Sequence, residues 1–182
     1  MGRIIKIALV IAIVVVGAFA AVVAMQPNDF SISRSAVIAA PAEQVFAQVN
    51  DFHLWEEWSP WAKIDPASKV TFEGPTSGKG AIFRWDGNNE VGAGSMTITE
   101  SKPNELILID LAFVRPMEGK NLTEFKFAPE GAQTKVTWTM TGKHNFIGKA
   151  FCMMMDMQTH VGGMFDKGLA SMKKIVESAP KT

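Results

Sequence analysis

From Ile7 to Met25 the chain runs for 19 residues without a charged or amide side chain, IALVIAIVVVGAFAAVVAM, behind Arg3 and Lys6. A helix rising about 1.5 Å per residue needs roughly 20 apolar residues to cross about 30 Å of hydrocarbon, whereas a signal-peptide core is about 7 to 15 residues long. The run therefore predicts one membrane-spanning helix. Basic residues before it and none just after it place the amino terminus in the cytoplasm and the rest of the chain outside, periplasmic or extracellular. Ala18-Phe19-Ala20 also has the small-x-small spacing of a processing site, so a cleaved signal is the alternative.

After the polar linker Gln26-Pro27-Asn28-Asp29 the pattern changes. Phe30 to Ile38 reads as a strand, and Val45, Phe46 and Val49 recur at helical spacing over Ala42 to Asn50, with Pro41 suited to the first turn. Asp51 is placed to cap a second short helix carrying Phe52, Trp55 and Trp58. Ser59-Pro60 stops it and leaves Trp61 in the following loop.

Between Lys69 and Gly142 the period becomes two. Six strands are expected: Val70–Glu73, Ala81–Asp86, Gly94–Ser101, Glu105–Val114, Asn121–Ala128 and Thr134–Thr141. Short turn-rich links, Asp86 to Asn89 and Pro129 to Gly131, make the sheet an antiparallel meander. Phe83, Trp85, Met96, Ile98, Ile107 to Phe113 by twos, Phe125, Phe127, Val136, Trp138 and Met140 fall on one parity. The other parity is mostly polar, and Glu73, Arg84, Asp110 and Glu124 are assigned to a solvated face.

From Ile147 to Ser178 the period returns to 3.6, giving one terminal helix of about nine turns. Its apolar stripe takes in Met153 or Met154, Met157, Val161, Met164, Phe165, Leu169, Met172, Ile175 and Val176. Gly162-Gly163 interrupts it and implies a kink or a close approach of the sheet. The terminal helix contains six methionines, Met155 among them.

Composition narrows the function classes. Lys+Arg and Asp+Glu both number 18, so no basic excess points to nucleic acid. Cys152 is the only cysteine, which excludes an intrachain disulfide and reads as a small buried hydrophobe. There is no tyrosine, which removes a common phenolic acid/base. Cys152, Asp156 and His160 at spacing four, with His144, lack any zinc-binding pattern, and no metal or cofactor is expected.

The order and identity of these elements resemble the polyketide cyclase/dehydrase branch of the START-related (SRPBCC) helix-grip superfamily, in a membrane-anchored form. The residues that carry the likeness are IAAPAEQVF at Ile38 to Phe46, Asn50-Asp51-Phe52, WEEWSPW at Trp55 to Trp61 and GKGAIFRW at Gly78 to Trp85. Asp65-Pro66, Arg115-Pro116 before Glu118-Gly119, VTWTMTG at Val136 to Gly142 and FDKGLASMKK at Phe165 to Lys174 complete it. The resemblance implies an α+β fold, a seven-stranded antiparallel sheet curved around a long carboxy-terminal helix, with an apolar cavity between them. It also implies two units, an anchor and linker over 1–28 and a helix-grip domain over 29–182. Family members bind or transport lipids and other apolar molecules, and some cyclise or dehydrate polyketides.

The residues expected to line the cavity are Trp61, Phe83, Trp85, Met96, Phe113, Trp138, Met140, Met157, Val161, Met164 and Phe165. Aromatic rings and flexible thioethers suit an apolar pocket that adapts to its occupant. His160 is the candidate acid/base, with Asp156 as its orienter, and no catalytic residue is assigned. The leading expectation is a protein that is not an enzyme and that binds a lipid or other apolar small molecule at the membrane surface. A cyclase or dehydratase is one alternative, and a protein-interaction module with a vestigial cavity is another; no protein partner is named.

Overall fold

The computed structural model describes residues 2–154 and 156–179; Met155, assigned above to the terminal helix, lies outside them. The apolar run forms one helix, α1 (Gly2–Met25), about 36 Å long by its residue count. It is exposed along nearly its whole length, with Val23 its buried residue, so it extends away from the rest of the chain.

Strand β1 (Asp29–Ile38) begins three residues later. It is followed by α2 (Ala42–Asn50), a single 3-10 turn (Phe52–Leu54), and two short helices, α3 (Trp55–Trp58) and α4 (Pro60–Ile64). Then come β2 (Lys69–Glu73), β3 (Ile82–Asp86), β4 (Ala93–Lys102), β5 (Leu106–Arg115), β6 (Gly119–Glu130) and β7 (Gln133–Lys143). The chain ends in α5 (Phe146–Met154) and α6 (Met157–Ser178).

All seven strands form one antiparallel sheet in the order β1-β7-β6-β5-β4-β3-β2. Hairpins join β2 through β7, and β1 closes the far side by pairing with β7. The register puts Ile32, Met140, Thr123, Ile109 and Ile98 in one row across the inner face, and Phe30, Gly142, Asn121, Leu111, Met96, Phe83 and Phe72 in the next. A register shift between Ile98 and Glu100 adds the local bend of a bulge to β4.

The helices cover this face because their apolar stripes are complementary to it. Val45, Phe46 and Val49 of α2 are buried, with the Phe46 ring edge-on to Phe127 at 5.4 Å. Trp55 and Trp58 of α3 are core, their indole N–H groups donating to the carbonyls of Val49 and Gln48 at 3.0 Å each. Phe165, Leu169, Met172 and Val176 carry the buried stripe of α6. Glu73, Arg84 and Asp110 lie in solvent on the outer face, where Arg84 bridges Glu73 at 2.9 Å.

Three local expectations are corrected. The terminal segment is two helices: Asp156 breaks it by accepting from the Thr159 amide at 3.1 Å, so its carboxylate caps α6. Helix α6 continues unbroken through Gly162-Gly163, and of the pair it is Gly162 that serves close approach, to Arg34 of the sheet. Trp61 is not in a loop, because Pro60, pre-set for a first helical turn, starts α4 immediately after the break. Asp51 caps the 3-10 turn, accepting from the His53 amide at 2.9 Å, and the α-helical turn starts only at Trp55.

Candidate functional site

The centre of the grip is filled by rings. Trp138 of β7 stacks flat on Phe165 of α6, centroids 4.0 Å apart and planes 7° from parallel, and its other neighbour Phe125 stacks at 4.8 Å. Trp58 and Trp61 meet Trp138 edge-on at 5.7 and 5.8 Å. The Trp138 indole N–H is buried without a hydrogen-bond partner, and a buried donor left unpaired costs about 1–3 kcal/mol.

On the other side of the inner face, β2 to β5 carry an aromatic ladder whose β2–β3 end meets the 3-10 turn, Phe52 lying 6.0 Å from Phe83 and His53 stacking on Phe72 at 4.0 Å. Phe72 lies 5.5 Å from Phe83, Phe83 6.0 Å from Trp85, and Trp85 meets Phe113 edge-on at 5.7 Å. Phe83, Trp85, Met96 and Phe113 are half-buried, and Phe72 is exposed. Gly94, opposite Trp85 in the register, makes the ladder possible: a Cβ there would stand 2.6 Å from the Trp85 ring. The indole is held across β4 by its N–H, which donates to the Val91 carbonyl at 3.1 Å.

Arg34 is the charged group on the inner face that sequence patterning missed. It lies opposite Trp138, in the same parity as Ile32 and Ala36. Its Nη2 donates to the Gln158 carbonyl at 2.9 Å, its Nη1 to the Ser33 carbonyl at 2.8 Å, and its Nε pairs with Asp166 at 3.2 Å. Gly162 of α6 lies so close that a Cβ would collide with the guanidinium. Alternation within β1 and the glycine pair in α6 were the available signals.

The polar candidates separate. His160 is exposed on α6, and Asp156 is occupied as the cap, its carboxyl held below the usual carboxylate range by hydrogen bonds from Thr159. Cys152 instead meets His144, Sγ to Nε2 at 3.4 Å, and the imidazole stacks on Phe30 at 4.4 Å. Burial pushes the thiol up and the imidazole down, so the two face each other in neutral forms.

Of the expected lining, Trp138, Met140 and Phe165 are buried core, and Trp61, Met157 and Val161 pack beside them. Phe83, Trp85, Met96 and Phe113 form the open ladder. Met164 points elsewhere, into a groove of about 530 Å³ between α4 and α6 that also involves Pro60, Lys63, Ile64 and Lys167. Among the described residues no group of three or more His, Cys, Asp or Glu side chains gathers as metal ligands would.

This architecture is shared with solved structures. Protein CV1439 from Chromobacterium violaceum is 17% identical, with a TM-score of 0.57 over 85% of this chain and 100% of that one. The Aha1 dimer from Colwellia psychrerythraea gives 18% identity and a TM-score of 0.60 over 84% and 99%. The di-domain ARO/CYC BexL from the BE-7585A biosynthetic pathway gives 19% and 0.63, over 87% of this chain and 53% of BexL. At these identities the likeness concerns the fold, and no curated protein matches the chain. Residues 29–177 match the family described as Polyketide cyclase / dehydrase and lipid transport, and by that match the chain belongs to it.

Proposed function

We propose that residues 29–182 form a domain that binds a lipid or other apolar small molecule on the inner face of β2 to β5, and that α1 holds it at a membrane. The observation that carries this reading is the ladder of Phe83, Trp85, Met96 and Phe113, an apolar wall turned inward yet only half-buried. Concave sites lined by aromatic and aliphatic groups with few polar ones are the usual form of an apolar-ligand site.

The apolar length of α1, its exposure and the flanking Arg3 and Lys6 support a single-pass anchor with a cytoplasmic amino terminus and an extracytoplasmic domain. Tethering raises the effective concentration of the binding face near lipid. The test is to purify the full chain in mild detergent and identify co-purifying small molecules by native mass spectrometry. A stoichiometric apolar species retained through exchange into a second detergent supports the reading. A chain that is empty and binds no member of a panel of fatty acids, phospholipids and polyketides overturns it.

A further inference from the structure

The sheet register gathers one set of chain ends at one end of the fold. The start of β1, the end of β7 and the turns joining β3 to β4 and β5 to β6 all lie there, and α1 enters at the same place. Gln26 to Asn28 span roughly 10 Å even when extended, so this end cannot stand far from wherever α1 stops. Helix α5 is fastened there as well. The His144 amide donates to the Asn28 carbonyl at 2.7 Å, and Lys149 reaches the Ala24 carbonyl at 3.5 Å, where a cation suits the free carbonyls of a helix terminus.

Although it is fastened in this way, α5 turns large apolar side chains to solvent: Phe146 is 52% and Ile147 65% exposed. At the same end of the sheet, in and before the β5–β6 turn, Val114 is 62% and Met117 47% exposed. Among the described residues no exposed large apolar side chain lies in the turns at the opposite end of the sheet, around Ala39, Gly74 to Gly80, Asn104 and Gly131. The most exposed large apolar side chains of residues 29–179, Phe146, Ile147 and Val114, thus lie at the end from which a membrane-length helix departs, and such a patch matches a lipid surface.

We infer that α5 is an interfacial helix which, with Val114 and Met117, seats this end of the domain in the headgroup region of the bilayer. The inference rests on the reading of α1 as a membrane span. Its consequence is directional, because the outermost inner-face row, Val70, Trp85, Gly94 and Phe113, belongs to this end. The aromatic ladder then opens toward lipid, and an apolar ligand exchanges with the bilayer without crossing water.

The experiment uses the full chain carrying Cys152→Ala and one new cysteine, Val14→Cys, Met117→Cys, Ile147→Cys or Glu130→Cys, each labelled with an environment-sensitive fluorophore. All four sites are exposed, so the labels displace no packing. In phosphatidylcholine vesicles containing nitroxide-labelled lipid, the labels at 117 and 147 are expected to be quenched severalfold more than at 130 by nitroxide near the headgroups. The label at 14 is expected to respond to nitroxide deep in the acyl chains. Lipid quenching at 14 with 117 and 147 behaving like 130 overturns the inference and leaves the span standing. No lipid quenching at 14 overturns the span, and the inference with it.

Discussion

The indole of Trp138 lies flat against the ring of Phe165, 4.0 Å between centroids, and this contact joins the middle of β7 to the middle of α6. It fills the space between the sheet and α6 at this point, and the proposed site accordingly lies on the β2–β5 side. Phe165 is 1% exposed, and truncation of a buried Phe to Ala costs about 3–5 kcal/mol. Phe165→Ala is expected to lower the urea midpoint accordingly with an unchanged slope. A cost under about 1 kcal/mol would mean that the stack does not hold the helix.

Gly162 and Gly163 make opposite predictions. A methyl at 162 would collide with the Arg34 guanidinium and force it off the carbonyls it serves, so Gly162→Ala is expected to destabilise by about 1–3 kcal/mol. At 163 a Cβ meets nothing within 4 Å, and Gly163→Ala is expected to stabilise α6 by up to about 1 kcal/mol through helix propensity. Thermal unfolding of the two variants in one detergent tests the contrast.

The His144–Cys152 contact gives stability a pH dependence on both sides. Burial holds the imidazole below its ordinary value of about 6.5, so the unfolded chain takes up a proton first, and stability falls as pH drops through about 6.5 toward the folded value. Burial raises the thiol above its ordinary value of about 8.5, so stability also falls as pH rises past about 8.5. His144→Gln is expected to flatten the acid limb alone and Cys152→Ala the alkaline limb alone, read as unfolding temperature against pH.

Trp85 and Phe113 are half-buried, so their truncation should weaken binding more than folding. An edge-on aromatic contact is worth about 0.5–1.5 kcal/mol, which sets an expected loss of roughly 2- to 12-fold in affinity for an apolar fluorescent probe with Phe113→Ala. Gly94→Ala, which pushes Trp85 off β4, is expected to act in the same direction. Equilibrium titration of the full chain in detergent checks both, and unchanged affinity would remove the ladder from the site.

Strand parity made the inner face legible, because each of Phe125, Trp138 and Met140 alternates with polar neighbours along β6 and β7. The terminal stripe likewise exposed Phe165 and Leu169. Arg34 was hidden because a single arginine in a strand reads as solvated until the facing glycine is known. The break at Asp156 was hidden because its helix-capping role depends on whether the Thr159 amide is free, which periodicity does not report. Which lining residues stay open, and which are sealed by Trp138 and Phe165, depends on how far α6 reaches across the sheet, a tertiary relation that no spacing encodes.

The most direct test of binding on the β2–β5 face is photolabelling of the full chain with a diazirine-bearing fatty acid, mapped by peptide mass spectrometry. Saturable labelling of peptides containing Phe83, Trp85, Met96 and Phe113, competed by unlabelled fatty acid, is the expected result. Labelling confined to α1 and to the groove formed by Lys63, Met164 and Lys167, or labelling that does not saturate, would contradict it.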